Sequence, residues 1–441
     1  MSHVFPRHTK MSLPTVVSGQ GMYLYDEQGR EYLDGSGGAA VSCLGHGDPD
    51  VTRAIKDQLD KVAFAHTGFL TSSPAEQLAD TLVSLAPEGI DRVYLVSGGS
   101  EAVESALKLA RQFFWEQGET QRRHFIARQQ SYHGNTLAAL ATGGNQWRRK
   151  PFSPLMIETH HIEPCYEYRH RQANESAFEY GQRAADALEQ EILRLGPDSV
   201  IAFVAEPVVG ATVGAVPPVS DYFKRIRQIC DQYGILLILD EVMCGMGRTG
   251  SLFACEHDGI APDIITIAKG LGAGYQPIGA MLCSADIYSV IEQGSGYFQH
   301  GHTYLGHPVA CAAALAVVSK LSQHQLVERS ALMGDVLSEA LHERFDQHPN
   351  VGDIRGRGLF QAIELVKDRE SKQPFNAELS IHQKIKKAAF AAGLICYPMG
   401  GTIDGVSGDH ILLAPPFIIE DTHVEQLVDR LDRALQEVLN V

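Results

Sequence analysis

Lys269 lies where a nucleophilic amine would be expected. It follows the apolar segment 264–268 and precedes a glycine-rich stretch at 270–274. Burial at the end of a strand would disfavour the ammonium form and lower the pKa, which makes the amine a nucleophile for a carbonyl group. An isolated lysine at a strand end is more often a solvated residue, so this interpretation depends on its neighbours.

Asp240 is a second residue at such a position. It ends the apolar segment 234–239 and is followed by Glu241. In open α/β sheets, ligands bind at the carboxyl edge of the strands, and a carboxylate buried there stays charged only beside a positive partner. A structural salt bridge or a helix cap is the simpler alternative for this aspartate.

A third feature is the segment Ser97-Gly98-Gly99-Ser100-Glu101, at the predicted start of a helix. Its glycines expose backbone N–H groups, and its serine adds a hydroxyl, at the positive end of the helix dipole. This combination favours the binding of a phosphate group. An ordinary turn in which Ser100 caps the helix would contain the same residues.

The elements that must position these residues are short apolar segments that alternate with helical stretches. The segments are 92–96, 124–127, 200–205, 235–240 and 264–268. They predict strands buried on both faces of a largely parallel α/β sheet, which would bring Asp240 and Lys269 to one edge beside the helix start. A phosphate site, a carboxylate for a pyridinium nitrogen and a lysine that can form a Schiff base together predict a pyridoxal 5'-phosphate (PLP) site.

Along nearly its whole length the chain resembles the class III PLP-dependent aminotransferases of the aspartate-aminotransferase-like fold. The resemblance is carried by SGGSEAVESALKLAR (97–111), SYHGNT (131–136), AEPVVG (205–210), LILDEVMCGMGRTG (237–250), IAKGLGAGYQPIGA (267–280) and HGHTYLGHPVACAAAL (300–315). It implies an α/β protein of PLP fold type I, with a large domain on a mostly parallel sheet and a small domain formed by both chain ends. The domains expected are 1–60 (N-terminal part of the small domain), 61–325 (large PLP-binding domain) and 326–441 (C-terminal small domain).

The resemblance also implies a role for each residue of the site. Gly99 and Ser100 would bind the phosphate, Tyr132 would stack on the pyridine ring, Val242 would pack on its other face, Asp240 would hold the ring nitrogen, Glu206 would lie near the ring hydroxyl, and Lys269 would form the internal aldimine. Thr303 would bind the phosphate of the neighbouring subunit. The last role implies a homodimer with shared active sites, or a tetramer that contains such dimers.

The implied function is the transfer of an amino group from an amine or ω-amino acid to a keto acid by ping-pong chemistry at Lys269. Relatives that use glutamate and 2-oxoglutarate commonly carry an arginine just before a Gly-Asp pair in the C-terminal lobe. The matching stretch 402–409 has none, and no arginine occurs between Arg369 and Arg430. We therefore expect pyruvate as the acceptor, with the substrate carboxylate held by Arg148, by Arg149 or by weaker contacts.

Other function classes share parts of this sequence pattern. A PLP-dependent decarboxylase or aminomutase would use the same residues, whereas a pyridoxal-binding regulator would need a basic helix-turn-helix region for which the N-terminus is too short. The GxGxxG pattern at 245–250 lacks a following amphipathic helix and a ribose-binding acid, which argues against a dinucleotide. His300, His302 and His307 lack a metal-site spacing, so no metal is expected.

Composition excludes several classes of partner. The chain has 37 Lys and Arg against 53 Asp and Glu, a net charge of −16, without a dense basic run, so nucleic acid is not an expected partner. No stretch reaches the ~20 apolar residues that span a bilayer, and the N-terminus does not resemble a signal peptide. The 8 cysteines are scattered without a framework spacing. A cytoplasmic protein with reduced thiols is expected.

Overall fold

The structure, a computed structural model, describes residues 3–439 and contains three sheets. In chain order the strands are β1 Val16–Gln20, β2 Tyr23–Asp26, β3 Glu31–Asp34, β4 Ile90–Val96, β5 His124–Arg128, β6 His160–Ile162, β7 Val200–Ala205, β8 Leu236–Asp240, β9 Ile264–Ile267, β10 Gly279–Ser284, β11 Val351–Arg357, β12 Phe360–Leu365, β13 Leu394–Ile395, β14 Tyr397–Gly400 and β15 Asp409–Leu413. The α-helices are α1 Gly37–Ala40 (one distorted turn), α2 Pro49–Lys61, α3 Ser73–Leu85, α4 Gly99–Glu116, α5 Leu137–Thr142, α6 Gln146–Arg149, α7 Glu167–His170, α8 Ala177–Leu195, α9 Tyr222–Tyr233, α10 Ala285–Gln293, α11 Pro308–Gln323, α12 Leu326–Phe345, α13 Ile381–Ala391 and α14 Asp421–Leu439.

The large sheet has the strand order β4-β10-β9-β8-β7-β5-β6. β10 pairs antiparallel with β4 and β9, and the strands from β9 to β6 pair in parallel. Strands β7, β8 and β9 are buried along their whole length. One face of this sheet packs against the apolar stripe of α4, and the other contributes to the core that includes α8 and α9. The prediction of a largely parallel α/β sheet is confirmed.

The predicted strands occur with small shifts at their ends, and two strands of the large sheet were missed. The bounds of β7 are those predicted, whereas no local pattern indicated β6 or β10. The expectation of burial on both faces is wrong for β4, in which Arg92 is exposed. β4 lies at the edge of the sheet with β10 as its one strand neighbour, so part of it faces solvent.

The helix after β4 begins at Gly99. Its N-cap is Gly98, in an extended conformation with φ 174°, so Ser100 lies inside the helix and the alternative of a Ser100 cap does not hold. The Ser100 hydroxyl instead donates to Asn135 Oδ1 at 3.0 Å. The apolar stripe of α4 is buried and includes Val103, Leu107, Ala110 and Phe114.

The two ends of the chain meet in a second sheet. Strand β13, from the C-terminal region, pairs in parallel with β3 of the N-terminal region. The third sheet, β11-β12-β15-β14, is antiparallel. The domain bounds near residues 60 and 325 stay a prediction. Within residues 3–439, no helix combines the length and apolar character needed to cross a bilayer.

Gly334 lies where α12 packs closely against the turn between β11 and β12. That turn also packs against the loop that follows β8. A Cβ atom at Gly334 would overlap with the backbone of Gly358. A Cβ atom at Gly358 would in turn lie 2.6 Å from the carbonyl carbon of Thr249. The three backbone segments therefore pack directly on one another, and this packing fixes the loop beyond the end of β8.

We expect Gly334→Ala to lower the free energy of unfolding by about 1 to 3 kcal/mol, because backbone segments cannot repack around an added methyl group as side chains can. This loss should outweigh the ~1 kcal/mol that alanine gains in helix propensity. Asp335→Ala, at an exposed position of the same helix, is the matched control. Denaturant unfolding of both variants measures the difference, and an undiminished stability of Gly334→Ala would contradict the contact.

Candidate active site

A cavity of about 400 Å³ lies at the carboxyl ends of β8 and β9, beside the N-terminus of α4. Its lining includes seven of the residues to which the sequence assigned a role: Gly99, Ser100, Tyr132, Glu206, Asp240, Val242 and Lys269. The structure thus brings together residues from five separate segments of the chain. Thr303 does not line this cavity and is exposed in the segment before α11, so its role toward a second subunit stays a prediction.

Asp240 is held by three donors at the end of β8. Its side chain is 4% exposed, and Oδ2 lies 2.8 Å from Nδ1 of the fully buried His133. Oδ1 accepts from the Val242 backbone N–H at 3.0 Å and from the Thr266 hydroxyl at 3.2 Å. These contacts fix the position and orientation of the carboxylate. Sequence analysis missed His133, although it follows Tyr132 directly, because no spacing shows that it reaches Asp240.

The next residue, Glu241, points away from the cavity and has a structural role. Its carboxylate is fully buried and accepts from the backbone N–H groups of Ala254 at 2.5 Å and Cys255 at 2.9 Å. Burial raises the pKa of Glu241 to about 7. Of two adjacent carboxylates, only Asp240 lines the cavity, because successive side chains at a strand end point to opposite sides.

Lys269 follows β9 and begins a short 3₁₀ turn, Lys269–Leu271. Its φ of 40° is in the left-handed region, an uncommon conformation for a residue with a side chain and one that recurs at functional sites. Burial lowers the pKa of Lys269 from its ordinary value, while the negative charges of Asp240 and Glu206 partly oppose this effect. A larger fraction of the amine is therefore neutral and nucleophilic than for an exposed lysine.

Glu206 follows β7, and its carboxylate forms hydrogen bonds with two other segments of the chain near the cavity. Its Oε1 accepts from the Tyr132 backbone N–H at 3.0 Å, and its Oε2 accepts from the Gly210 backbone N–H at 2.9 Å. Burial raises the pKa of Glu206, with a further contribution from the charge of Asp240. The ring of Tyr132 lines the cavity, and burial raises the pKa of its hydroxyl.

The N-terminus of α4 offers a site for an anion. A Cβ atom at Gly99 would lie 2.7 Å from Val242 Cγ1, so this helix start can approach the cavity only as glycine. Ser100 lines the cavity, and its hydroxyl also accepts from the Asn135 backbone N–H at 3.1 Å. A cavity with a buried lysine amine, a fixed carboxylate and a helix N-terminus fits a phosphorylated pyridine aldehyde such as PLP.

The GxGxxG segment 245–250 and His300 make contacts that support the fold. In the GxGxxG segment, Arg248 is buried and donates to the carbonyl oxygens of Leu359 at 3.0 Å and Pro415 at 2.6 Å. His300 contacts the Ser105 hydroxyl at 3.0 Å and the Lys108 ammonium at 3.1 Å. These contacts connect loops to helices and do not gather ligands around a common point.

One group among residues 3–439 has metal-ligating side chains close together, at the amino end of the large sheet. His124, Glu158 and His160 place ligand atoms within 4.8 Å of one another. Arg123 Nε donates to His124 Nε2 at 3.2 Å, so the ring proton of neutral His124 lies on Nδ1, 3.1 Å from His160 Nε2. The two imidazoles form a hydrogen-bonded pair.

Comparison with known proteins identifies related sequences along the whole chain. The family model described as aminotransferase class-III matches residues 4–435. A Schizosaccharomyces pombe protein named an uncharacterized aminotransferase is 49% identical over 423 residues, which cover 96% of this chain and 92% of that protein.

Two relatives have names that state their substrates. The diaminobutyrate–2-oxoglutarate transaminase of Halomonas elongata is 36% identical, with 96% of this chain and 90% of the relative covered. The taurine–pyruvate aminotransferase of Rhodobacter capsulatus is 35% identical, with 96% and 91% covered.

Solved structures agree with these sequence relationships. The omega transaminase of Pseudomonas jessenii, solved in complex with PMP (pyridoxamine phosphate), superposes with a TM-score of 0.93 at 33% identity. The match covers 100% of this chain and 96% of the P. jessenii chain. The expectation of the PLP fold type I architecture is confirmed.

Lys269→Ala should abolish covalent attachment of PLP, because the other residues that line the cavity include no lysine. Borohydride reduction followed by mass mapping measures the attachment. Lys150→Ala, at an exposed lysine, is the control and should retain wild-type labelling. Labelling of a different lysine in the wild-type protein would overturn the assignment of Lys269.

Asp240→Asn should retain PLP but lower the rate of amine transfer by about 100-fold or more, because a neutral amide does not keep the ring nitrogen protonated. The absorbance of bound cofactor and single-turnover rates with one amine measure the two effects separately. A rate close to that of the wild type would show that the charge of Asp240 has no catalytic role.

Proposed function

The chain belongs to the class-III aminotransferase family, and from that membership we propose that it transfers an amino group from an amine or ω-amino acid to a keto acid, with PLP as its cofactor. The observation that carries the proposal is the placement of Lys269, Asp240 and the N-terminus of α4 around one cavity. A cytoplasmic location is proposed with it, on the prediction from the sequence.

The residues that would hold the cofactor follow from their positions in the cavity. Ser100 and the free N–H groups of α4 would bind the phosphate. Tyr132 and Val242 would lie on the two faces of the ring, and Asp240 would face its nitrogen. When bound, PLP supplies a carbonyl carbon for the amine and a ring that accepts electrons.

The residues of the chain supply the proton transfers. Asp240, with its charge stabilised by His133 and two further donors, would hold a proton on the ring nitrogen. Lys269 Nζ, which burial keeps partly neutral, would accept a proton from the substrate carbon that bears the amine and return it in the reverse direction. Since one lysine in one cavity would serve both half-reactions, we propose a ping-pong order.

A homodimer is part of the proposal, because Thr303 lies at an exposed apolar surface. Phe69 is 88% exposed, Leu70 65% and Tyr304 58%. Tyr304 packs edge-on against Phe64 with ring centroids 5.6 Å apart, so the segments 64–70 and 303–306 are adjacent. Exposed apolar groups of this kind mark interaction surfaces. Burial of this surface against a second copy, in a dimer or in a tetramer of dimers, would carry Thr303 to a neighbouring site.

The acceptor proposed is pyruvate. The loop 401–408 that borders β15 contains no arginine, so it offers no guanidinium to a second carboxylate. The names of the relatives support both kinds of acceptor, since one includes pyruvate and the other 2-oxoglutarate. An extended dicarboxylate would leave one charge without a strong partner, and an unpaired, partly buried carboxylate is costly.

A panel of amines and ω-amino acids, each offered with pyruvate or 2-oxoglutarate, tests the function and the acceptor together. We expect a carbonyl product and an equal amount of new amino acid, and a kcat/KM at least about tenfold higher for pyruvate. Lys269→Ala should form neither product. Release of CO₂, or isomerisation of the donor without an acceptor, would indicate a decarboxylase or an aminomutase. A clear preference for 2-oxoglutarate would show that another residue replaces the missing arginine.

A further inference from the structure

Arg148 carries a positive charge that has no anionic partner. Among residues 3–439, no carboxylate lies within ion-pair distance of its guanidinium, and its Nε is buried without a hydrogen-bond partner. Its contacts are aromatic: Cζ lies 4.8 Å from the ring centroid of Tyr132 and 5.6 Å from that of Trp147. A half-buried guanidinium without an anion is unfavourable, so the site is suited to an anion supplied from outside the chain.

The backbone of Arg148 is fixed close to the cavity. Asn145 caps α6, and its side chain accepts from the Arg148 backbone N–H at 3.2 Å. The Asn145 amide also donates to Gln130 Oε1 at 3.3 Å, and Gln130 donates to the Gly401 carbonyl oxygen at 2.6 Å. The arginine is therefore held between the cavity wall at Tyr132 and the loop 401–408.

That loop packs directly on α6. A Cβ atom at Gly405 would lie 3.2 Å from the Trp147 backbone nitrogen, which shows how closely the two backbones approach. The loop lacks an arginine of its own, and the helix beneath it provides one. The guanidinium of Arg148 therefore lies beside the cavity, near the loop 401–408.

The neighbouring Arg149 also has a buried Nε without a hydrogen-bond partner, but its surroundings differ from those of Arg148. The guanidinium of Arg148 lies against the ring of Tyr132, which lines the cavity, and its charge disfavours the protonated form of Lys269. The charge of Arg149 acts instead on His161, whose pKa burial and this arginine lower to about 4. Of the two arginines, Arg148 is therefore the one that contacts the lining of the cavity, through Tyr132. Arg7 also acts on Tyr132, but it is exposed in the N-terminal segment.

We propose that Arg148 binds the carboxylate of the substrate, through the paired N–H groups of its guanidinium, and so selects ω-amino acids and keto acids over amines that lack a carboxylate. The inference rests on the proposed function and assigns the substrate class of the same site. One guanidinium for one carboxylate also agrees with a monocarboxylate acceptor.

Single-turnover reaction of PLP-loaded enzyme with 4-aminobutyrate and with n-butylamine tests the proposal without an acceptor. These donors share a chain length and differ in the carboxylate. Arg148→Gln should raise the half-saturating concentration of 4-aminobutyrate about tenfold or more and change that of n-butylamine by less than about twofold. Arg149→Gln, which removes the same charge one residue away, should change neither. Arg148→Lys, which keeps the charge without the planar fork, should fall between the wild type and Arg148→Gln.

Propionate, as an unreactive carboxylate, gives a binding measurement that does not depend on reaction of an amino acid. It should inhibit the n-butylamine reaction of the wild type and lose about tenfold in affinity in Arg148→Gln. Equal effects on both donors, or a wild type that prefers n-butylamine, would overturn the proposal. A loss in Arg7→Gln instead would assign the carboxylate to Arg7. Absence of a reaction with every amine of the panel in the wild type would refute the proposed transaminase function itself.

Discussion

A negative charge buried at the end of β8 requires a partner, and the ring of His133 provides one 2.8 Å from Asp240. The Val242 N–H and the Thr266 hydroxyl satisfy the other oxygen. Because these donors come from three segments of the chain, the carboxylate keeps its place only when the strands and the 131–136 loop are all correctly packed. The pairing therefore makes the chemistry of the site depend on the fold of the large sheet.

The remaining residues are positioned by the same sheet. Parallel pairing of β8 with β9 brings Lys269 to the edge where Asp240 ends its strand, and the absence of a side chain at Gly99 lets α4 approach Val242. Burial lowers the pKa of Lys269 and so favours its neutral amine. Three donors hold the side chain of Asp240 in place beside it. One cavity thus holds a base and a fixed anion side by side.

Much of this arrangement was predictable from local patterns. Continuous apolar segments predicted β7, β8 and β9, since strands covered by helices on both faces carry few polar residues. β10 was missed because its six residues follow a long glycine-rich turn, and its antiparallel pairing between β4 and β9 has no local signal. Ser100 does not cap the helix, because the extended Gly98 allows the helix to begin earlier. His133 was missed because its contact with Asp240 joins residues distant in the sequence, which spacing does not show.

The buried pair of Asp240 and His133 would keep the cofactor ring nitrogen protonated. The most direct test is the ¹⁵N NMR chemical shift of ring-labelled PLP bound to the wild-type protein, followed from about pH 6 to pH 9. A pyridinium shift throughout this range is predicted, since the carboxylate would raise the pKa of the ring nitrogen well above that of an isolated pyridine. The shift of an unprotonated pyridine nitrogen at neutral pH would contradict the account.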